Sequence, residues 1–163
     1  VPRRPKVHLV GDIMNSRVEA IWKKRSHRGV MDSVEQVRAV ADEGLEGDAN
    51  FGATRHVTVI EKEIFDRIKE LLPNAEPRMR RANIMVSGIQ LEKMGGHALI
   101  VGEAQILLRG ETRPCELMDE QCQGLRDALD PDWYGGAHGV VIKGGLIRVG
   151  DPASIEVPTP VPS

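Results

Sequence analysis

Apolar residues in this chain occur mainly in short stretches where apolar and polar positions alternate, a pattern that predicts β-strands. In residues 17–23, Val18, Ala20 and Trp22 share one face. Similar stretches, rich in β-branched residues and bounded by Gly, Asn or Asp, occur at residues 34–41, 56–60, 83–87 and 154–157. The pattern therefore indicates a chain dominated by short strands.

Two pairs of these stretches have the spacing of β-hairpins. Residues 98–101 and 104–108 flank the dipeptide Gly102-Glu103. Residues 140–143 and 146–149 flank Gly144-Gly145, which suits the positive φ angles of a tight turn. The sequence thus predicts two hairpins.

Two segments have helical periodicity instead. Residues 61–72 precede Pro73 and place five apolar side chains on one helical face: Ile64, Phe65, Ile68, Leu71 and Leu72. Residues 119–129 precede Pro131 and place Cys122, Leu125 and Leu129 on one face, although Gly124 weakens that helix. We predict a helix in each segment.

About eight short strands with only two helices favour a mainly β fold, a closed or nearly closed β-barrel with peripheral helices. A chain of 163 residues is typical of one domain. We expect a single domain with its core at about residues 17–157, followed by an extended, proline-rich tail at 158–163.

Charge and composition exclude several classes of function. The net charge of −2 is not typical of a nucleic-acid-binding or membrane-surface protein, which is usually strongly basic. No apolar run approaches the roughly 20 residues of a membrane helix, and the first residues do not resemble a secretory signal. Two cysteines do not make a disulfide framework. We expect a cytoplasmic protein with no nucleic-acid or membrane partner.

The two cysteines are not equivalent. Cys115 follows Thr112-Arg113-Pro114, and proline favours a loop there, directly after a strand. If the fold holds Arg113 near Cys115, its positive charge favours the thiolate, which attacks sulfur donors and binds soft metals. Cys122, on the apolar face of the second predicted helix, is expected to be an inert small hydrophobe.

Other polar residues are weaker candidates. His56 follows Arg55 at a strand entrance, and Asp48 lies in a glycine-rich loop where it either supplies an acid to a site or bonds its own backbone. The cluster Arg78-Met-Arg-Arg81 suits phosphate or carboxylate binding. The basic run at 23–28 is expected to be solvated. No hydrolase elbow, Walker A loop or dinucleotide fingerprint is present.

Six stretches in order resemble the MOSC family, named for the C-terminal domain of molybdenum cofactor sulfurase, and its stand-alone bacterial members in particular. The stretches are Gly44-Leu-Glu-Gly-Asp48, Arg55-His-Val57, Arg81-Ala-Asn-Ile-Met-Val-Ser-Gly88, Gly102-Glu-Ala104, Pro114-Cys115 and Gly144-Gly-Leu-Ile-Arg-Val-Gly-Asp151. The resemblance implies a barrel like that of pyruvate kinase's β-barrel domain, and a role in molybdenum cofactor or sulfur metabolism. His138 departs from the bulky aliphatic residue or tyrosine expected at its position.

The resemblance also implies roles for particular residues. Cys115 corresponds to the loop cysteine that is thought to carry sulfur as a persulfide or to ligate molybdenum. Arg81 and Asn83 are expected near the anionic molybdenum cofactor (molybdopterin) and its phosphate, and we include Asp48, His56 and Arg113 among the candidate cofactor-binding residues.

Three functions remain open at this point. The first is a sulfur carrier that accepts sulfur on Cys115 from a pyridoxal-phosphate-dependent cysteine desulfurase and delivers it to a metal–sulfur centre or to molybdenum cofactor. The second is a molybdenum-dependent reductase subunit for N-hydroxylated compounds, in which Cys115 ligates the metal and an electron-transfer protein is the partner. The third is a non-catalytic interaction module.

Overall fold

The structure, a computed structural model, describes residues 15–157. Within this range the chain forms eleven strands, three short α-helices and one 3₁₀-helix. The strands are β1 (Arg17–Lys24), β2 (Met31–Val34), β3 (Gln36–Val40), β4 (Gly44–Leu45), β5 (Val57–Glu61), β6 (Ile84–Ser87), β7 (Ala98–Val101), β8 (Ala104–Glu111), β9 (Ala137–Lys143), β10 (Gly145–Arg148) and β11 (Ala153–Glu156). The helices are α1 (Lys62–Leu71), the 3₁₀-helix (Pro77–Arg80), α2 (Glu116–Gln121) and α3 (Leu125–Ala128).

The strands form two sheets. The larger has the order β11-β7-β8-β9-β5-β6-β1-β2, and the smaller has the order β10-β3-β4. Strands β5 and β6 pair in parallel, and α1 lies in the connection between them, as parallel neighbours require a crossover. The other pairs in the described part of the chain are antiparallel.

The fold is mainly β with a few helices, as predicted, but neither sheet in the described range closes on itself, so the predicted barrel is not confirmed. The pairing of β1 along its outer edge explains why the larger sheet stays open. Its second half, from Ile21 to Lys24, pairs with β2. Only its first half reaches the chain before β11, where the Val18 amide donates to the Asp151 carbonyl at 2.9 Å. That contact is an isolated bridge rather than a ladder between β1 and β11.

One predicted hairpin is confirmed and the other is wrong. Strands β7 and β8 pair through the Gly102 turn. Strand β10, however, pairs with β3 in the smaller sheet rather than with β9. A Cβ on Gly144 would lie 2.8 Å from the Ala39 carbonyl oxygen, and one on Gly145 would lie 2.6 Å from the Glu103 Cβ. The glycine pair therefore lets the chain pass close to other segments as it leaves one sheet for the other.

The first predicted helix is confirmed and the second is divided. Helix α1 buries Ile64, Phe65 and Ile68, while Leu71 at its end is 71% exposed. In place of one helix over residues 119–129, α2 ends at Gln121 and α3 begins at Leu125. Gly124, between them, has a φ of +91°, which no residue in a right-handed helix adopts.

The large sheet is buried on both faces. Alternate residues of β5 and β6 enter different apolar clusters: Val59 and Ile84 pack toward the smaller sheet, whereas Ile60 and Met85 pack toward the helices. The helix-side cluster also contains Trp22, Phe65, Met118, Leu125 and Tyr134, with Cys115 and Cys122 at its margin. The segment that bears both cysteines therefore packs against this helix-side cluster.

The proline-rich tail predicted at 158–163, and the first residues of the chain, lie outside the described residues. In the part of the chain that the structure describes, no helix is both long and apolar enough to cross a membrane.

Gly139 in β9 tests how tightly the central strands pack. A Cβ there would lie 2.5 Å from the Leu107 carbonyl oxygen and 2.8 Å from Ile106 Cγ2. We expect Gly139→Ala to lower the free energy of unfolding by about 1–3 kcal/mol in urea denaturation, because the strand must shift. The control is Gly110→Ala in the paired strand β8, where the new Cβ meets only His138 Nε2 at 3.4 Å. An equal loss in both variants would contradict this account.

Candidate functional site

Cys115 lies in the short connection between β8 and α2, the loop position after a strand that the sequence predicts. Its backbone is extended, with φ −131° and ψ −179°, and its side chain does not cap the helix. The residue is half-buried at the margin of the helix-side apolar cluster. The thiol is thus held by packing and remains partly open to solvent.

Three cationic side chains act electrostatically on the Cys115 thiol: Lys24, Arg80 and Arg81. Burial lowers the pKa of Arg80 to about 10, and burial also lowers the pKa of Arg81 and of Lys24. Negative charge on Cys115 opposes the shift in each case. Arg80 therefore remains cationic at neutral pH despite its burial, and an arginine side chain such as that of Arg81 is charged in proteins generally.

Arg80 is only 5% exposed. Its Nε donates to the Gly135 carbonyl at 2.8 Å and its Nη2 donates to the Thr112 carbonyl at 3.2 Å. No carboxylate is among the charges that shift its pKa; those charges are Cys115 and the repelling Arg55. A buried cation favours a nearby group that can carry negative charge, and Cys115 is such a group.

Arg81 follows the 3₁₀-helix in the left-handed conformation, with φ 63° and ψ 35°. Its Nη2 atom is buried and donates no hydrogen bond within the described residues, and the Thr112 hydroxyl is buried without a partner in the same way. Arg81 also lines a cavity of about 330 Å³. Among the described residues, two buried hydrogen-bonding groups, on Arg81 and on Thr112, therefore lack a protein partner.

Asp48 and Asn83 form a buried network with the backbone. Asn83 Nδ2 donates to Asp48 Oδ1 at 3.0 Å, and Asn83 Oδ1 accepts from the Thr58 amide at 3.1 Å. Asp48 Oδ1 also accepts from the Lys24 amide at 2.7 Å. Of the two roles considered for Asp48, backbone bonding is the one the structure shows. The pair fixes the end of β1 and so positions Lys24.

The other two candidate residues, His56 and Arg113, have partners other than Cys115. His56 is 4% exposed, and its Nδ1 accepts from the Val141 amide at 3.0 Å, which joins the start of β5 to β9. Arg113 is exposed and pairs with Asp130 at 2.8 Å and with Glu111 at 3.9 Å. The cations that act on Cys115 come from distant parts of the sequence instead.

The sequence interpretation missed Lys24 and Arg80. The run at 23–28 was expected to be solvated, but Lys24 is half-buried, because it shares a strand face with the buried Trp22. That two-residue spacing was the available signal for Lys24. Arg80 lies inside the basic cluster at 78–81, and burial in the folded chain is what separates it from its neighbours.

Comparison with known families matches the MOSC domain to residues 46–154. The chain belongs to the MOSC domain family. This family is associated with molybdenum-cofactor-related function. Arg80, Arg81 and Cys115 lie inside the matched MOSC segment, whereas Lys24 lies before it.

Solved structures with the same MOSC fold share little sequence with this chain. YuaD from Bacillus subtilis has a TM-score of 0.75 at 18% identity, covering 88% of this chain and 97% of that one. YiiM from Escherichia coli has a TM-score of 0.64 at 18% identity, covering 90% and 72%. YiiM from Geobacillus stearothermophilus has a TM-score of 0.65 at 17% identity, covering 86% and 74%. A comparison with curated proteins found no match.

The residues of this MOSC site fit the cofactor that the family implies. No group of three His, Cys, Asp or Glu side chains in the described residues could hold a metal ion by itself. A cysteine thiolate is a soft ligand suited to a metal that brings further sulfur ligands with it. The unpartnered Arg81 Nη2 is a donor for an anionic group such as a phosphate.

Asn83→Ala tests whether the buried Asp48–Asn83 network stabilises the fold. We expect it to lower the free energy of unfolding by about 1–3 kcal/mol in urea denaturation, because Asp48 and the Thr58 amide lose buried hydrogen bonds. The control is Asn50→Ala, which loses one exposed hydrogen bond from Nδ2 to the Arg55 carbonyl. Unchanged stability in Asn83→Ala would show that the network does not hold the end of β1.

Proposed function

We propose that this MOSC domain is a sulfur carrier that holds sulfur as a persulfide on Cys115. One observation carries the proposal: half-buried Cys115 lies in the loop before α2 and acts electrostatically on the buried Arg80 guanidinium, on which no carboxylate acts. Cationic surroundings are the kind in which reactive cysteines occur, whereas inert structural cysteines lie in apolar surroundings.

The loading step is a thiol exchange. The Cys115 thiolate attacks the terminal sulfur of a persulfide on a cysteine desulfurase, and a new sulfur–sulfur bond forms on Cys115. The sulfur–sulfur bond in the donor breaks, and the donor cysteine leaves as a thiolate. One thiolate and one persulfide anion are present before and after the step, so the transfer needs neither an oxidant nor a reductant.

The cations around Cys115 suit both its unloaded form and its persulfide form. Arg80 and Arg81 face an anion whether Cys115 is a thiolate or a persulfide, and the Asp48–Asn83 network keeps Lys24 beside them. For delivery, the terminal sulfur leaves as sulfide, which takes two electrons; we propose that two thiols of a reductant supply them and form a disulfide, while Cys115 returns to its thiol. The acceptor that we propose is a metal–sulfur centre or molybdenum cofactor.

Loading of sulfur is tested by incubation with a cysteine desulfurase and cysteine, followed by intact-mass measurement. We expect wild type to gain the mass of one sulfur atom and Cys115→Ser to gain none. Cys122→Ser is the matched control and should load like wild type, because Cys122, unlike Cys115, is not among the charges that act on Lys24, Arg80 and Arg81. Equal loading in Cys115→Ser and wild type would disprove the carrier role.

A second function is supported by a different observation. The buried Arg81 Nη2 and Thr112 Oγ1 atoms lack partners in the described chain, and an anionic cofactor could satisfy both. In this alternative Cys115 would ligate molybdenum, and Arg81 would bind the phosphate of the cofactor. The cofactor, when bound, would supply two-electron reduction of N-hydroxylated compounds, with electrons from a partner protein.

Molybdenum content separates the two functions. Wild type, Cys115→Ala and Cys122→Ala are purified from cells with intact cofactor synthesis and analysed for metal. For the reductase subunit, we expect molybdenum in wild type and Cys122→Ala and its loss from Cys115→Ala. For the carrier, we expect sulfur loading without stoichiometric molybdenum. If Cys115 carries no sulfur and binds no molybdenum, the result would favour the non-catalytic interaction module.

A further inference from the structure

An apolar groove of about 430 Å³ lies between the end of α1 and the segment of α3 and Pro131. Two of its lining residues, Ile68 and Tyr134, are buried in the helix-side cluster. Leu71, also in the lining, is 71% exposed. A single exposed leucine needs no explanation, but one that lines a groove of this size extends a continuous apolar surface. The groove is large enough for one large apolar side chain from another molecule.

Acidic side chains lie around this groove and on the helices beside it. Asp127 and Glu70 are in the lining, together with Arg67. The segment 116–132, which includes α2 and α3, contains six acidic residues and one basic residue, Arg126. All six acids are exposed: Glu116, Asp119, Glu120, Asp127, Asp130 and Asp132. This segment, the acidic helical layer, therefore concentrates negative charge in a chain whose net charge is only −2.

The acidic helical layer begins directly after Cys115. Cys115 does not line the groove, but it precedes α2, and α2 packs against α3. Arg113, two residues before Cys115, pairs with Asp130 at 2.8 Å. Asp130 in turn directly precedes Pro131, which lines the groove. These links place the groove roughly 20 Å from Cys115 at most, and a standard interface covers about 800 Å² on each partner, a patch roughly 30 Å across.

We propose that this groove is the docking site of the protein that donates sulfur to Cys115, and that the donor presents an apolar side chain within a basic surface. The inference rests on the proposed carrier function. The apolar side chain supplies a buried anchor, and the basic residues around it face Asp127 and the other exposed acids. A second copy of this chain that used the same surface would bring two acidic layers together, which like-charge repulsion disfavours.

The docking surface has the opposite charge to the site that it serves. Lys24, Arg80 and Arg81 act on Cys115 from β1 and the 3₁₀-helix, whereas the acids lie on α2, on α3 and after them. A basic donor surface is therefore attracted to the helical layer, and the cations around Cys115 remain to face the sulfur anions. A docked donor also presents its persulfide to the thiolate within one complex, which is faster than reaction by free collision.

The test compares two sulfur sources, of which only one needs a docking site. The protein source is the cysteine desulfurase with cysteine. The small source is sodium tetrasulfide: attack by the Cys115 thiolate transfers one sulfur atom and releases trisulfide, so charge and electrons balance. All proteins carry Cys122→Ser, and intact-mass measurement over time gives the rate constant for loading of Cys115 from each source.

Leu71→Gln keeps the size and the helix propensity of the side chain but makes this part of the groove polar. We expect the rate constant for loading from the desulfurase to fall roughly tenfold, as the loss of an interface anchor predicts, and loading from tetrasulfide to stay unchanged. Val157→Gln is the matched control, because Val157 is 75% exposed beyond the end of β11. It should load at the parent rate from both sources.

Asp127→Asn tests the charge of the groove. We expect it to slow loading from the desulfurase roughly threefold at low ionic strength and to weaken the dependence of that rate on sodium chloride, because salt screens electrostatic steering. Glu156→Gln removes the same charge from an exposed position on β11 and should keep the salt dependence of the parent.

The docking site is refuted if Leu71→Gln loads from the desulfurase as Val157→Gln does, or if it slows loading from both sources equally. It is also refuted if sedimentation velocity shows a dimer that Leu71→Gln disrupts, since the groove would then hold a second copy. Loading of the parent from tetrasulfide but not from the desulfurase refutes the docking site and leaves a cysteine that carries sulfur. If Cys115 takes sulfur from neither source, the carrier function fails, and the docking site fails with it.

Discussion

The buried positive charge of Arg80 is the constraint on which the arrangement of this site depends. Burying an unpaired guanidinium costs several kcal/mol, so its donors and its charge must be matched within the fold. Two carbonyls, of Thr112 and Gly135, accept its hydrogen bonds, and the electrostatic influence of Cys115 opposes the lowering of its pKa by burial. One side chain thereby ties the loop that bears the thiol to the segment that enters β9.

Close backbone packing makes this arrangement possible. A Cβ on Gly135 would collide with the Thr112 carbonyl oxygen, which Arg80 uses as an acceptor. A Cβ on Gly136 would similarly collide with the Val59 carbonyl oxygen. Glycine at these positions allows the segments on either side of Arg80 to approach. The two glycines therefore act on the chemistry of Cys115 indirectly, through the acceptors that hold Arg80.

Local sequence patterns predicted where the strands and helices lie better than they predicted which strands pair with each other. Alternation located β1, β5 and β6, and helical periodicity located α1, because each pattern records which side of one element is buried. The Gly144-Gly145 pair was misassigned because the same dipeptide suits a tight turn and a close backbone approach. The choice between them depends on β3, more than a hundred residues earlier in the chain.

The same contrast between local sequence pattern and tertiary contact applies to the candidate site. The loop position of Cys115 was predicted from its own neighbours in sequence, since Pro114 favours a loop there, whereas its role was inferred from the resemblance to the MOSC family. The cations beside it come from β1 and from the 3₁₀-helix, and the adjacent Arg113 pairs with Asp130 instead. A long basic side chain can reach several directions from one backbone position. Its partner is therefore decided by tertiary packing, which the basic clusters at 23–28 and 78–81 do not reveal by themselves.

The placement of charge also bears on which function the site can serve. The chain as a whole has a net charge of −2, yet no carboxylate contributes to the pKa shifts of Arg80 and Arg81. A carrier must accept sulfur and release it again, so its thiolate and persulfide states must not differ greatly in free energy. Cations that act on Cys115 through charge stabilise both anions to a similar degree. Among the described residues, the Arg81 Nη2 and Thr112 hydroxyl groups lack partners. The cations around Cys115 therefore suit the proposed sulfur exchange, whereas these two unpartnered groups suit the alternative in which an anionic cofactor is bound.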